Sequence, residues 1–64
     1  MNRYPDPRIA SLQRLLESLV DERQRLRGDG ADGTELERNR REIVRRQHEL
    51  ADALLAVYGP RRAA

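Results

Sequence analysis

Apolar residues recur at alternating intervals of three and four positions in two separate stretches of this chain. One stretch runs from Ile9 to Leu26 and the other from Leu36 to Val57. This spacing places the residues on one stripe of an α-helix, and it is the heptad pattern of helices that pack side by side. The stripe positions are Ile9, Leu12, Leu16, Leu19, Arg23 and Leu26 in the first stretch, and Leu36, Arg40, Ile43, Gln47, Leu50, Leu54 and Val57 in the second. The pattern predicts an all-α fold in which two helices share one core.

Residues with strong positional preferences bound the first helix. Asp6 is a good N-cap, and Pro7 then occupies the first helical position, where its missing N–H costs nothing. Gly28 follows the last stripe residue at the distance expected for a C′ glycine in the left-handed conformation. The sequence from there to Gly33 is Gly-Asp-Gly-Ala-Asp-Gly, which has the composition of a turn.

The second helix is bounded in a similar way. Thr34 and Glu37 have the Thr-x-x-Glu spacing of a capping box, and Gly59-Pro60 is a stop signal. A short polar loop makes consecutive helices antiparallel neighbours, so the predicted fold is a coiled-coil-like helical hairpin. We expect a single domain over residues 1–64, with a helix at about 7–27, a loop at 28–33, a helix at about 35–58 and a frayed tail at 59–64.

Folding the chain about the loop predicts which residues face each other. Leu12 falls opposite Leu50, whereas Arg23 falls opposite Arg40. Three carboxylates are close enough in sequence to neutralise these arginines: Asp21, Glu22 and Glu37. The two arginines either extend out of the stripe toward such carboxylates or form an anion or partner site at the loop end. The expected hairpin core is Leu12, Leu16, Leu19, Ile43, Leu50 and Leu54.

The apolar stripes are wider than one helical neighbour requires. A chain of 64 residues usually needs a disulfide, a metal or a partner chain for stability. This chain has no Cys and one His, which excludes a disulfide and disfavours a metal site. We therefore expect a homodimer in which two hairpins pair into a four-helix bundle, although a different partner protein would cover the same surface. The expected oligomer or partner contacts are Leu15, Val20, Val44 and Leu55.

The second helix carries a run of arginines that is the best candidate for an anion-binding face. Arg38, Arg41 and Arg45 lie close together on the helical wheel. Glu37 precedes Arg41 by four positions and Glu42 precedes Arg46 by four, which is the favourable order for ion pairs within a helix. Because these pairs neutralise much of the run and the net charge is only +2, nucleic-acid binding is disfavoured.

Other chemistry has little support in the sequence. His48 and Asp52 have the i, i+4 spacing of an oriented general base, but no Ser, Cys or Thr is expected near them to act as a nucleophile. No cofactor site is predicted, and the loop acids lack the ligand spacing of a calcium loop. The N-terminal segment has no apolar core like that of a signal peptide, and no stretch is apolar enough to span a membrane. We expect a cytoplasmic, non-enzymatic protein.

The run from Leu19 to Arg23, the Leu26-Arg27 pair and the Arg-rich second helix resemble a family of uncharacterised small actinobacterial proteins. The resemblance covers roughly residues 9–62 and implies a helical hairpin without an assigned activity. A Cys-Trp pair typical of that family is replaced here near Ala53-Leu54.

A second comparison concerns the actinobacterial anti-sigma factors that bind cyclic di-GMP. Aligning their motif on Glu37 and Asp52 places Arg41 and Val44 where a Ser and an Arg are needed, so nucleotide binding is not carried over. We expect a helical-hairpin interaction module that self-associates and binds or regulates another protein. The alternative is an anion-, nucleic-acid- or nucleotide-binding regulator that uses the Arg-rich face.

Overall fold

Two long helices account for nearly all of the chain that the structure describes. The computed structural model describes residues 6–59, in which α1 spans Pro7–Gly28 and α2 spans Gly33–Tyr58. The four residues between them reverse the chain, so that α2 packs antiparallel along α1. This arrangement confirms the predicted all-α helical hairpin. The predicted tail at residues 60–64 lies outside the described residues.

The first helix begins as the sequence predicts. The Asp6 side chain accepts hydrogen bonds from the backbone N–H groups of Arg8 and Ile9, at 2.8 and 3.3 Å. Pro7 is the first helical residue. Two of the backbone donors that every helix N-terminus leaves without helical partners are thereby satisfied.

The prediction that Gly28 adopts the left-handed C′ conformation is wrong, because Gly28 is the last residue of α1 itself. The left-handed residue is Gly30, with φ of 74°. The Ala31 N–H donates to the Leu26 carbonyl at 2.8 Å and the Gly30 N–H donates to the Arg27 carbonyl at 3.2 Å. These two bonds are those of a Schellman motif. Gly28, Gly30 and Gly33 all lie near the end of α1, and the hydrogen bonds place Gly30 at the left-handed position.

The predicted capping box of Thr34 and Glu37 is also wrong. The N-cap of α2 is Asp32, whose carboxylate accepts a hydrogen bond of 3.0 Å from the Glu35 N–H. The helix therefore begins at Gly33, inside the predicted loop, and Thr34 lies in its first turn. An Asp is at least as good an N-cap as a Thr, and the earlier start leaves Glu37 free to bind arginines. At the other end, Gly59 caps α2 as predicted.

The buried core is small and lies at the end of the hairpin away from the loop, which we call the open end. It consists of Ile9, Leu12 and Ala53, with Leu50 packed against them. Of the other predicted core residues, Leu16, Leu19 and Ile43 are half-buried, whereas Leu54 is 36% exposed and lies outside the core. No apolar side chain of the described residues is completely buried.

The contact stripe of α2 is rotated relative to the prediction. Leu36, Ile43 and Leu50 belong to both the predicted and the observed stripe. The observed stripe also contains the buried Asn39 and Ala53, where the prediction had Arg40 and Leu54. The predicted opposition of Arg23 and Arg40 is therefore wrong. The small Ala53 lets Ile9 and Leu12 approach α2 closely, and the observed rotation directs Arg40 toward Glu37.

The hairpin is a flat slab. Two helices lie side by side in a single layer, so the thickness of the slab is about one helix diameter. Each helix consequently presents side chains on two opposite broad faces. Neither of the described helices has the length and apolarity needed to cross a membrane.

Candidate interaction surface

One broad face of the slab carries most of the exposed apolar side chains. A groove between the helices on this face is lined by Leu16, Glu17, Val20, Asp21 and Gln47. On α2, residues spaced by three and four from Gln47 continue the same stripe. We call this the apolar face, and its principal members are Leu16, Val20, Val44, Gln47, Ala51, Leu54, Leu55 and Tyr58.

The side chains of the apolar face are incompletely covered by the hairpin. Val20 is 44% exposed, Leu55 is 59% exposed and Tyr58 is 62% exposed. Leu16 and Val44 are half-buried. Large apolar side chains that are arranged contiguously and exposed to this degree are typical of a protein interaction surface.

The apolar character is concentrated toward the open end. Leu54, Leu55 and Tyr58 lie there, whereas the loop end of the same face carries Arg40 and Asp21. The Arg40 side chain is 56% exposed and bonds to Glu37. The surface therefore changes from charged to apolar along the length of α2.

The opposite broad face is charged. Its groove is lined by Leu19, Glu22, Leu26, Glu35, Arg38, Asn39 and Glu42. Leu15 precedes Leu19 by one helical turn, so it lies on this second face and is 37% exposed. The structure thus places three of the four predicted contact residues, Val20, Val44 and Leu55, on the apolar face, and it places Leu15 on the other side of the slab.

The arginines of α2 are held in a ladder of ion pairs with the carboxylates of the same helix. Glu37 binds Arg40 at 2.8 Å and Arg41 at 3.3 Å. Glu42 binds Arg46 at 2.8 Å, and Glu49 binds the same guanidinium at 2.8 Å. The Glu37–Arg41 and Glu42–Arg46 pairs confirm the pairing predicted from the sequence.

These contacts favour the charged forms of the groups involved. The hydrogen bond from Arg40, together with its charge and that of Arg41, lowers the pKa of Glu37. The hydrogen bonds that Arg46 donates to Glu49 and Glu42 raise the pKa of Arg46, and the hydrogen bonds that Arg40 donates to Glu37 raise the pKa of Arg40 in the same way. Solvent screens exposed pairs of this kind, so each contributes little to stability.

Each of the three predicted anion contacts has a carboxylate nearby, although only Arg41 bonds to one directly. Arg41 bonds to Glu37, Arg45 lies 3.9 Å from Glu42, and Arg38 lies in the groove that Glu35 and Glu42 also line. Three of the 13 arginines, Arg3, Arg61 and Arg62, lie outside residues 6–59, and within that range carboxylates outnumber arginines by one. A concentrated positive field, as nucleic-acid binding requires, is not present on the described surface.

A polar network crosses the helix interface near the loop. Asn39 is only 5% exposed, and its Nδ2 donates to the Leu19 carbonyl at 3.0 Å. The Arg23 Nη1 donates to Asn39 Oδ1 at 3.3 Å and to the Leu36 carbonyl at 3.1 Å. The sequence prediction missed this network, although Asn39 lies three residues after Leu36 and four before Ile43, which is the spacing of a stripe residue.

The one histidine of the chain and its candidate partner lie on the surface of α2. His48 is exposed on α2, and Asp52, one turn further, is exposed as well. Within residues 6–59, no cluster of three or more His, Asp or Glu side chains could hold a metal ion. The surface of the hairpin is instead organised as one apolar and one charged face.

Comparisons of the chain with models of protein families, with curated proteins and with solved structures find no match. The resemblance to the small actinobacterial family therefore stays a prediction. Inference about function depends on the two faces of the hairpin.

Proposed function

We propose that this protein is a non-enzymatic interaction module that self-associates through its apolar face, so that two hairpins form a four-helix bundle. In this proposal the bundle is the functional unit that binds or regulates another protein. The observation that carries the proposal is the set of large apolar side chains that one hairpin leaves exposed on its apolar face.

On the apolar face, Val20 is 44% exposed and Leu55 is 59% exposed, although both side chains are large and apolar. A second copy brings an identical apolar face. Pairing two copies through a two-fold interface would therefore cover both sets of side chains at once.

The chemistry of the apolar face supports the same proposal. Burying an exposed Val or Leu side chain stabilises a protein by about 1.5–3 kcal/mol. Among residues 6–59, the buried apolar core of one hairpin consists of Ile9, Leu12 and Ala53. Association through side chains such as Val20 and Leu55 supplies burial that a single hairpin lacks.

Two alanines of α2 provide a matched test. Ala51 follows Val44 by seven residues and shares its position on the apolar face, whereas Ala56 follows Glu49 by seven and lies on the charged face. Both are exposed, so Ala51→Glu and Ala56→Glu introduce the same side chain on the same helix. The readout is the molar mass in solution, measured by light scattering after size-exclusion chromatography.

We expect the wild type and Ala56→Glu to have twice the chain mass, and Ala51→Glu to be a monomer at the same concentration. A carboxylate buried without a partner in an apolar interface is strongly unfavourable. Equal masses for the two variants would contradict an interface on the apolar face. A wild type that remains monomeric at every concentration tested would contradict self-association itself.

A further inference from the structure

We infer that α2 of one copy packs antiparallel against α2 of a second copy, with the two Ala51 residues facing each other. This inference rests on the proposed self-association and specifies its geometry. The open ends of the two hairpins overlap in this arrangement, and the two loops point away from each other.

The first argument is the length of α2 beyond α1. Ala53 packs against Ile9, and α1 begins only two residues before Ile9. Leu55 and Tyr58 therefore lie at or beyond the level at which α1 begins, and they are 59% and 62% exposed. Among the described residues, α1 offers these two side chains little cover, whereas α2 of a second copy, packed about Ala51, would extend alongside both of them.

The second argument is the polarity gradient along α2. A parallel pairing of two α2 helices would bring Arg40 close to Arg40 of the second copy, and like charges at an interface are unfavourable. Antiparallel pairing about Ala51 leaves Arg40 outside the contact, where it keeps its bond to Glu37.

The third argument is the match of side chains about this centre. In an antiparallel pair centred on Ala51, a residue a given number of positions before Ala51 meets the residue the same number of positions after Ala51 in the other copy. Val44 of one copy then lies against Tyr58 of the other, and Gln47 lies against Leu55. The small side chain of Ala51 at the centre allows the two helices to approach closely. A two-fold interface requires this self-complementarity, in which each residue of a pair contacts the other in both directions.

Because the chain has no Cys, single cysteine variants can test the arrangement without interference from native thiols. The variant Ala51→Cys places two thiols at the proposed centre. Arg40→Cys is the control. Arg40 is eleven positions from Ala51, so the two Arg40 positions of an antiparallel pair lie about 33 Å apart along the helices. A disulfide requires Cα atoms within about 7 Å.

The experiment is mild oxidation of each variant, followed by gel electrophoresis without reductant, with the molar mass of the wild type measured in the same buffer. We expect Ala51→Cys to form about ten times more covalent dimer than Arg40→Cys, consistent with the distance limit for a disulfide. Comparable yields from both variants would indicate parallel α2 helices and would overturn the inference.

A mixture of Ala10→Cys and Ala51→Cys tests the aligned packing of α1 against α2. If a disulfide links Ala10→Cys to Ala51→Cys and no Ala51→Cys homodimer forms, α1 packs against α2 of the other copy with the ends aligned, and the antiparallel α2 pair is wrong. A wild type that is dimeric while Ala51→Cys fails to cross-link overturns the geometry and leaves the proposed function intact. A monomeric wild type overturns the proposed function as well.

Discussion

Replacing Asn39 with Ala tests the register of the hairpin, because the sequence pattern and the structure assign different residues to the helix interface. The pattern places Arg40 there, whereas the structure buries Asn39 and leaves the Arg40 side chain 56% exposed. Asn39→Ala and Arg40→Ala are adjacent substitutions that remove polar side chains from the same helix. Their effects on stability should therefore differ according to which register is correct.

The expected magnitude follows from the contacts of Asn39. The side chain donates one hydrogen bond of 3.0 Å to the Leu19 carbonyl and accepts one of 3.3 Å from Arg23. At about 1 kcal/mol for each bond, Asn39→Ala should cost about 1–2 kcal/mol. Arg23 keeps its bond to the Leu36 carbonyl, so its guanidinium is not left without a partner. Arg40→Ala removes an exposed, solvent-screened ion pair and should leave the urea midpoint nearly unchanged.

The assay is urea unfolding followed by far-ultraviolet circular dichroism, at one fixed protein concentration for the wild type and both variants. A loss of 1–2 kcal/mol is a large share of the roughly 3–5 kcal/mol that a core of this size supplies. Asn39→Ala should thus have a clearly lower midpoint than Arg40→Ala. The reverse order, or equal midpoints, would refute the observed register.

Three further predictions concern the turn, the ion pairs and the charged face. Gly30→Ala should lower the free energy of unfolding by about 1 kcal/mol because φ is positive at Gly30. Gly28→Ala should raise it by up to about 1 kcal/mol because Gly28 is helical and its added Cβ meets no atom within 4 Å. Thermal unfolding would contradict both expectations if Gly30→Ala were the more stable variant. Because Arg40 lowers the pKa of Glu37, the ionised carboxylate stabilises the fold above its usual pKa of about 4.3, and this contribution should be lost as the pH falls through the lowered pKa. Glu37→Gln should remove that part of the acid transition in circular dichroism, and an unchanged transition would show that the pair contributes nothing. A labelled DNA duplex should show no mobility shift at physiological salt, and a shift that weakens steeply with salt would favour the alternative anion-binding function.

The helix boundaries that depend on a unique local signal were predictable from the sequence. Asp6 followed by Pro7 offers one good start for α1, and Gly59 followed by Pro60 offers one good end for α2. The loop offers competing signals, since it contains three glycines and two aspartates within six residues. Local preference cannot decide which glycine ends α1 or which residue caps α2. The hydrogen bonds that form at Gly30 and Asp32 determine both boundaries.

The rotation of α2 could not be settled from apolar spacing alone. Two stripes share Leu36, Ile43 and Leu50, and the apolar Leu54 favours the stripe that contains Arg40. The structure uses the other stripe because Asn39 can bond across the interface and Ala53 is small. Both reasons concern the partner helix and are not visible in one helix considered alone.

This rotation also determines the candidate site. It moves Leu54 out of the core and onto the apolar face, beside Ala51 and Tyr58. The sequence identified surplus apolar residues on both helices but could not assign them to a face. Leu15 and Val20 were predicted to act together, and the structure places them on opposite sides of the slab.

The central claim is that one hairpin is completed by a second copy, and it is tested most directly by the melting temperature of the wild type at different protein concentrations. For a folded dimer that unfolds to monomers, a hundredfold increase in concentration should raise the melting temperature by about 10 °C, given about 2.1 cal/mol/K of unfolding entropy per residue. We expect a rise of this size when thermal unfolding is monitored by circular dichroism at low and at high micromolar protein concentrations. A melting temperature that does not change over this range would contradict the claim, because it would show that the single hairpin is stable without a partner.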